Sequence, residues 1–178
     1  MTTIGFRSRK MSMTNRMHFK MMSFVHETLY SLFRDPYQVL DDAGLKPGQN
    51  VLEVGCGPGF FTVPAARTVG ETGSITALDI SPLAVKRVEQ KIEQEGVTNA
   101  RTILADAAQT DLPGQSFDLI FVFGFAHSVG DLENILIELH RLLKPAGTPS
   151  VEGPLQVPNE LFHPVKRQGR ISQFRKVA

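Results

Sequence analysis

The chain of 178 residues has a single cysteine, Cys56, and no tryptophan. One thiol excludes an internal disulfide and a multi-cysteine zinc site, and it fits a reducing, cytoplasmic setting. No apolar run approaches the ~18 residues of a membrane-spanning helix, so no membrane span is expected. Acids are missing from both ends. Residues 1–26 carry Arg7, Arg9, Lys10, Arg16 and Lys20 without an Asp or Glu, and residues 161–178 carry Lys166, Arg167, Arg170, Arg175 and Lys176 in the same way. All 18 acids lie in residues 27–160 against nine bases, a formal charge of −9 concealed by a net charge of +1. Basic ends can meet nucleic acid or anionic lipid. Neither end interleaves aromatic and basic residues as a nucleic-acid surface would, so solvated ends are the preferred reading and a nucleic-acid partner is not expected.

The length and the ordinary apolar and charged fractions suit one domain with a real core. Residues 1–22 read as a poorly ordered basic tail and 23–178 as a single domain. The tail lacks the apolar centre of a secretory signal, although an acid-free start with Arg and Ser can mimic an organelle transit peptide.

From residue 24 the pattern becomes regular. Phe24, Val25, Leu29, Leu32 and Phe33 fall at helical spacing. Asp35-Pro36 is a cap and first-turn pair that predicts a short helix to about Ala43, ended by Gly44. Strands are predicted at 50–54, 74–78, 100–104, 117–123 and 148–152. Helices are predicted between them at 60–69, at 82–95 behind the Ser81-Pro82 cap, and at 132–143 behind Asp131. Strands that alternate with helices make a parallel, doubly wound α/β sheet. After the fifth strand, Gly153-Pro154-Leu155-Gln156-Val157-Pro158 leaves no room for another helix. Residues 161–165 and 170–175 can close the sheet as an antiparallel pair around Gln168-Gly169. A bare sheet face near the fifth strand would then favour a homodimer.

The chain is organised around Val51-Leu52-Glu53-Val54-Gly55-Cys56-Gly57-Pro58-Gly59-Phe60-Phe61. A buried strand breaks there into three glycines at alternate positions and a helix follows, the opening of a nucleotide-binding α/β unit. Glu53 to Gly59 resembles the first motif of class I S-adenosylmethionine-dependent methyltransferases. The resemblance continues to about residue 152, through Asp79 after the second strand, Asp106 after the third, and Phe117-Asp118-Leu119-Ile120 opening the fourth. It implies a Rossmann-like, mostly parallel sheet with an antiparallel C-terminal strand pair, here lacking the helix after the fifth strand. It also implies S-adenosyl-L-methionine as cofactor and methyl transfer to a small-molecule acceptor. The leading helices would pack beside the cofactor pocket or simply cover the sheet.

Residue by residue, the resemblance implies that Gly55, Cys56, Gly57 and Gly59 pass the methionine and ribose portion, with Cys56 a small filler. Glu53 would hold the glycine loop or reach the ligand's amine. Asp79 would accept the ribose hydroxyls, and Ile80 would press on the adenine. Asp106 would contact the adenine amino group, with Ala107 supplying a backbone N–H. Phe123 and Gly124 would border the reacting methyl. Transfer from a sulfonium is an in-line displacement that runs largely on alignment, and a base is needed only for acceptors that must lose a proton. His127, after the fourth strand, is the candidate base, and Phe125 a candidate pocket wall, whereas Phe121 reads as packing. Three other readings stand beside this one. A nicotinamide oxidoreductase is disfavoured by Gly-x-Gly-x-Gly with Pro58 inside it. A non-catalytic cofactor-binding subunit is suggested by the trimmed C-terminus. An RNA-directed methyltransferase would use the basic ends.

Overall fold

The computed structural model describes residues 34–123, 132–153 and 157–177. The expected helix over 24–33, the Asp131 cap, and Gly124, Phe125 and His127 lie outside the described residues.

Helix α1 (Pro36–Asp42) starts as the Asp-Pro pair dictates. The Asp35 carboxylate accepts the Tyr37 N–H at 2.9 Å, and Pro36 fills the first turn, where a missing N–H costs nothing. Gly44, at φ +86°, turns the chain out of it. Strand β1 (Asn50–Val54) is buried from its second residue onward. Helix α2 (Thr62–Val69) tolerates Pro64 because it falls in the first turn. The side chain of Asn99 donates to the Ala66 and Gly70 carbonyls at its C-terminal end. Strand β2 (Ser74–Asp79) leads to helix α3 (Pro82–Gln94). Ser81 stands at the N-cap without a side-chain bond, contrary to the expected cap. Its backbone N–H goes instead to Asp79 Oδ1 at 2.8 Å.

Strands β3 (Ala100–Leu104) and β4 (Phe117–Val122) follow, then helix α4 (Leu132–Leu142) and strand β5 (Leu143–Glu152). The closing hairpin is β6 (Phe162–Gln168) and β7 (Ile171–Lys176), a little longer than its sequence suggested. The seven strands lie in the order β3-β2-β1-β4-β5-β7-β6. Strands β1 to β5 pair in parallel, and β7 runs antiparallel to both β5 and β6. The sheet changes direction of build between β1 and β4, the crevice where α/β proteins place ligands at the carboxyl ends of their strands.

The extent of the fifth strand is corrected as well. The fifth strand begins at Leu143 rather than Thr148. Leu143 pairs with Phe117 and Thr148 with Leu119, so Lys144–Gly147 is extra chain bulging from the ladder rather than a separate loop. Gly147 is required there, because a Cβ would meet Leu143 Cδ2 at 2.8 Å and Phe117 O at 3.0 Å. On the side where the expected helix is absent, Phe162 and Phe174 are buried in the layer that includes α4, and Val157 and Leu161 pack against that layer.

The core has one layer on each side of the sheet. Leu52, Val54, Ile120, Val122 and Val151 meet α4 on one side. Val51, Ile75, Leu119, Phe121 and Phe123 meet α1 and α2 on the other. Leu40 and Ala43 of the α1 region are fully buried in this second layer, so α1 covers the sheet. Among the described residues no helix is long and apolar enough to cross a membrane.

Candidate functional site

The glycine turn hangs from the carboxyl end of β1 and is fixed mainly by backbone. The Gly55 and Cys56 N–H groups both donate to the Leu78 carbonyl, at 2.8 and 3.0 Å, tying the turn to β2. Gly55, Gly57 and Gly59 all have positive φ, at 74°, 50° and 79°, a region that L side chains enter only at a cost. At Gly59 space is also short, since a Cβ would lie 2.9 Å from Val88 Cγ2 of α3. Over Gly57 the opposite holds: an added Cβ would meet nothing but the turn's own Gly55 carbonyl, at 4.0 Å. The turn is therefore clamped against α3 at one glycine and open to a ligand at another.

Asp79 closes this turn. Its Oδ2 accepts the Gly57 N–H at 2.9 Å and its Oδ1 accepts the Ser81 N–H at 2.8 Å. Each carboxylate oxygen has further lone-pair capacity, so the same side chain can brace the turn and take hydroxyl donors. Leu104 is the register partner of Asp79. Ile80 and Leu104 are both exposed large apolar side chains, at 63% and 52%. Two exposed apolar side chains beside an oriented carboxylate suit a ligand with a ribose and an aromatic base. The sequence reading named Ile80 and missed Leu104, which follows Ile103 at the end of β3 and reads in sequence as a core residue.

Asp106 is exposed, and its Oδ1 accepts the Ala108 N–H at 2.9 Å, rounding the loop after β3. Ala107 is buried in the core. That loop is anchored by Glu138 of α4, whose Oε1 accepts both the N–H and the hydroxyl of Thr110, at 2.9 and 2.6 Å. Arg141 adds two bonds to the Glu138 carboxylate at 2.7 Å. The guanidinium, helped by Thr110, holds the Glu138 carboxyl down at about 2.

Glu53 is buried under the turn and accepts the Thr62 hydroxyl at 2.5 Å. Burial pushes its carboxyl up to about 8, the Thr62 bond works against this, and the Asp79 charge adds to it. Glu53 thus carries a proton at neutral pH, which the sequence did not reveal. Lys91 of α3 reaches the Gly59 carbonyl at 3.3 Å, a second support that only the fold brings near. Cys56 is buried, and burial together with Glu53 and Asp79 raises its thiol far above the ordinary range, which fits a filler rather than a nucleophile.

Phe123, just past β4, is packed rather than open. It stacks on Phe121 at 4.8 Å between ring centroids and meets Phe61 edge-on at 5.0 Å. Phe121 is fully packed, as expected. The structure therefore brings Glu53, Gly55, Cys56, Gly57, Gly59 and Asp79 into one constellation. Ile80 and Asp106 stand at its rim, and Phe123 lies in the adjoining aromatic layer.

A parallel sheet with this strand order, a clamped glycine turn and an acid at the end of β2 defines a nucleoside-cofactor-binding α/β protein. Comparison with known proteins gives the family. A family profile described as "Methyltransferase domain" matches residues 51–147. The chain belongs to that family, whose cofactor is S-adenosylmethionine. It is 33% identical over 109 residues to a demethylmenaquinone methyltransferase of Geobacillus stearothermophilus, covering 61% of this chain and 47% of the relative. It is 31% identical to nocamycin O-methyltransferase of Saccharothrix syringae, covering 68% and 44%. Among solved structures, an S-adenosylmethionine-dependent methyltransferase from Aquifex aeolicus superposes with a TM-score of 0.68 at 28% identity, covering 80% of this chain and 77% of that one. The chain spans about half the length of the curated relatives it matches.

Proposed function

We propose that this protein transfers a methyl group from S-adenosylmethionine to a small aromatic acceptor, with the ring of a reduced quinone as the first candidate. One observation carries the cofactor part. Asp79 holds the glycine turn through Gly57, with open space over Gly57 and exposed Ile80 and Leu104 alongside. When bound, S-adenosylmethionine supplies an electrophilic methyl on a sulfonium. The chain's part is placement. Gly55, Gly57 and Gly59 offer bare main chain, Asp79 takes ribose hydroxyls, Ile80 and Leu104 cover the base, and Asp106 with Ala107 reads its edge. Glu53 shifts toward its carboxylate as an ammonium group approaches, so binding at neutral pH releases a proton. His127 is the proposed base for an acceptor hydroxyl.

The acceptor class rests on the relatives. Those named demethylmenaquinone methyltransferase, and one named ubiquinone/menaquinone biosynthesis C-methyltransferase from Psychromonas ingrahamii at 31% identity, support a quinone ring. Calorimetric titration with S-adenosylmethionine and with NAD, alongside Asp79→Ala, tests the cofactor. Micromolar binding of S-adenosylmethionine alone, lost in the variant, is expected. Failure to bind it sinks the reading. A methyl-transfer assay on a reduced, ring-unmethylated naphthoquinone then tests the acceptor.

A further inference from the structure

The strangest atom on the ligand side is Glu152 Oε2. Glu152 is the last residue of β5 and only 5% exposed. Its Oε1 is held by the Arg34 guanidinium, and Arg170 Nε approaches the same oxygen at 3.4 Å. Oε2 is buried and has no hydrogen-bond partner among the described residues. Arg–carboxylate pairs are frequently bidentate, with both oxygens in a guanidinium fork. Here two cations crowd one oxygen and the other is idle. A buried acceptor without a donor is costly and asks for an explanation.

Its place supplies one. The β4–β5 register pairs Phe121 with Ser150 and Val122 with Val151, so the next position sets Glu152 level with Phe123. Side chains alternate along a strand, which puts Glu152 on the face of Ser150, whose hydroxyl bonds the Ala43 carbonyl. Phe121 and Phe123 belong to that same layer. Glu152 therefore stands at the carboxyl ends of the strands, one strand beyond β4, on the side of the switch point away from Asp79. Immediately after it Gly153 turns with φ +100°, and an added Cβ there would meet nothing within 4 Å. A fixed carboxylate with an idle oxygen and an aromatic neighbour meet at the carboxyl end of the sheet, and open space lies over Gly153 directly after them.

We propose that Glu152 is the acceptor-positioning residue: its Oε2 accepts a hydrogen bond from a hydroxyl or N–H of the aromatic methyl acceptor. Arg34 and Arg170 hold the carboxylate still, and the donor on the substrate completes it. The site thus selects acceptors that carry a donor beside the ring, and it disfavours the same ring with that donor capped. This rests on the methyl-transfer reading.

The test uses the full chain loaded with S-adenosylhomocysteine and two probes that differ by one donor, 1-naphthol and 1-methoxynaphthalene, titrated by ligand-observed NMR. The wild type should bind the naphthol about tenfold or more tighter than the ether. Glu152→Gln, which puts an N–H where Oε2 stood, should erase that preference with S-adenosylhomocysteine affinity unchanged. Glu152→Asp, which keeps the charge but draws it back, should also lose most of it. If either variant fails to fold, the other decides. Equal affinity of the wild type for both probes, or a preference that survives both substitutions, overturns the role of Glu152 and leaves the methyltransferase reading standing. Binding of S-adenosylhomocysteine with neither naphthalene overturns the aromatic acceptor and this proposal together. Failure to bind S-adenosylhomocysteine overturns the methyltransferase reading itself.

Discussion

The two halves of the ligand edge are built on different principles. On the β1–β2 side, the glycine turn is held by backbone donors to Leu78 and Asp79, each donor no more than 23 positions from its acceptor. On the β4–β5 side, Glu152 is held by Arg34, 118 positions away, and by Arg170 of the closing hairpin. Backbone bonding depends little on side-chain identity, so the first half suits a ligand common to a whole family. Long side chains from distant segments are readily exchanged, so the second half suits whatever differs between members.

The sharpest way to break the comparison is at the turn. Asp79→Ala removes the acceptor of two backbone N–H groups as well as the proposed ribose contact. Cofactor affinity should fall at least ~100-fold by calorimetry. Gly59→Ala adds a Cβ against Val88 at positive φ and should cost about 2–4 kcal/mol in denaturant unfolding. Gly57→Ala, also at positive φ but in open space, should cost only about 1 kcal/mol while still weakening cofactor binding. The contrast between the two glycines would separate clamp from cradle.

Glu138→Gln should cost about 2 kcal/mol, because Arg141 and Thr110 lose a charged partner. Since the folded carboxyl is held near 2, its contribution is complete above the unfolded value of 4.5 and is lost as pH falls through about 2. The Asp106 loop should loosen in hydrogen exchange, with the glycine turn unchanged. Glu53 has the reverse sign. Its folded carboxyl lies near 8, with Thr62, Asp79 and Lys91 as its neighbours. Its contribution is complete below 4.5 and declines as pH rises through about 8. The melting temperature of the apoprotein should drift down from pH 5 to 8, and Glu53→Gln should flatten that drift. Calorimetry in buffers of different ionisation enthalpy should show proton release when the wild type binds cofactor near pH 7.

The first half was largely legible in the sequence because its determinants are local. The strand–glycine–helix pattern set β1 at 50–54, Asp35-Pro36 set α1, and Asp79 followed from its place after β2. Contacts that depend on packing were not legible. Thr62 beneath Glu53, Lys91 on Gly59 and Glu138 under the loop after β3 meet only once the helices are laid on the sheet. The start of β5 was misread because Lys144-Pro145-Ala146-Gly147 has the chemistry of a turn, and only pairing of Leu143 with Phe117 draws it into the ladder. Ser81 has the right residue type for a cap, but Asp79 claims its backbone N–H. Glu152 reads in sequence as nothing more than a strand residue.

The outermost strand has a consequence of another kind. Strand β6 ends the sheet, and its exposed residues include His163, Pro164, Lys166 and Arg167. A proline without an N–H and a run of positive charge make this border a poor template for a further strand. The register shift between Pro164 and Lys166 twists it further from the flat geometry that fibrils need. At high concentration the hairpin thus acts as a guard against edge-to-edge aggregation, and replacing Pro164 and Lys166 with Val and Thr would open that border.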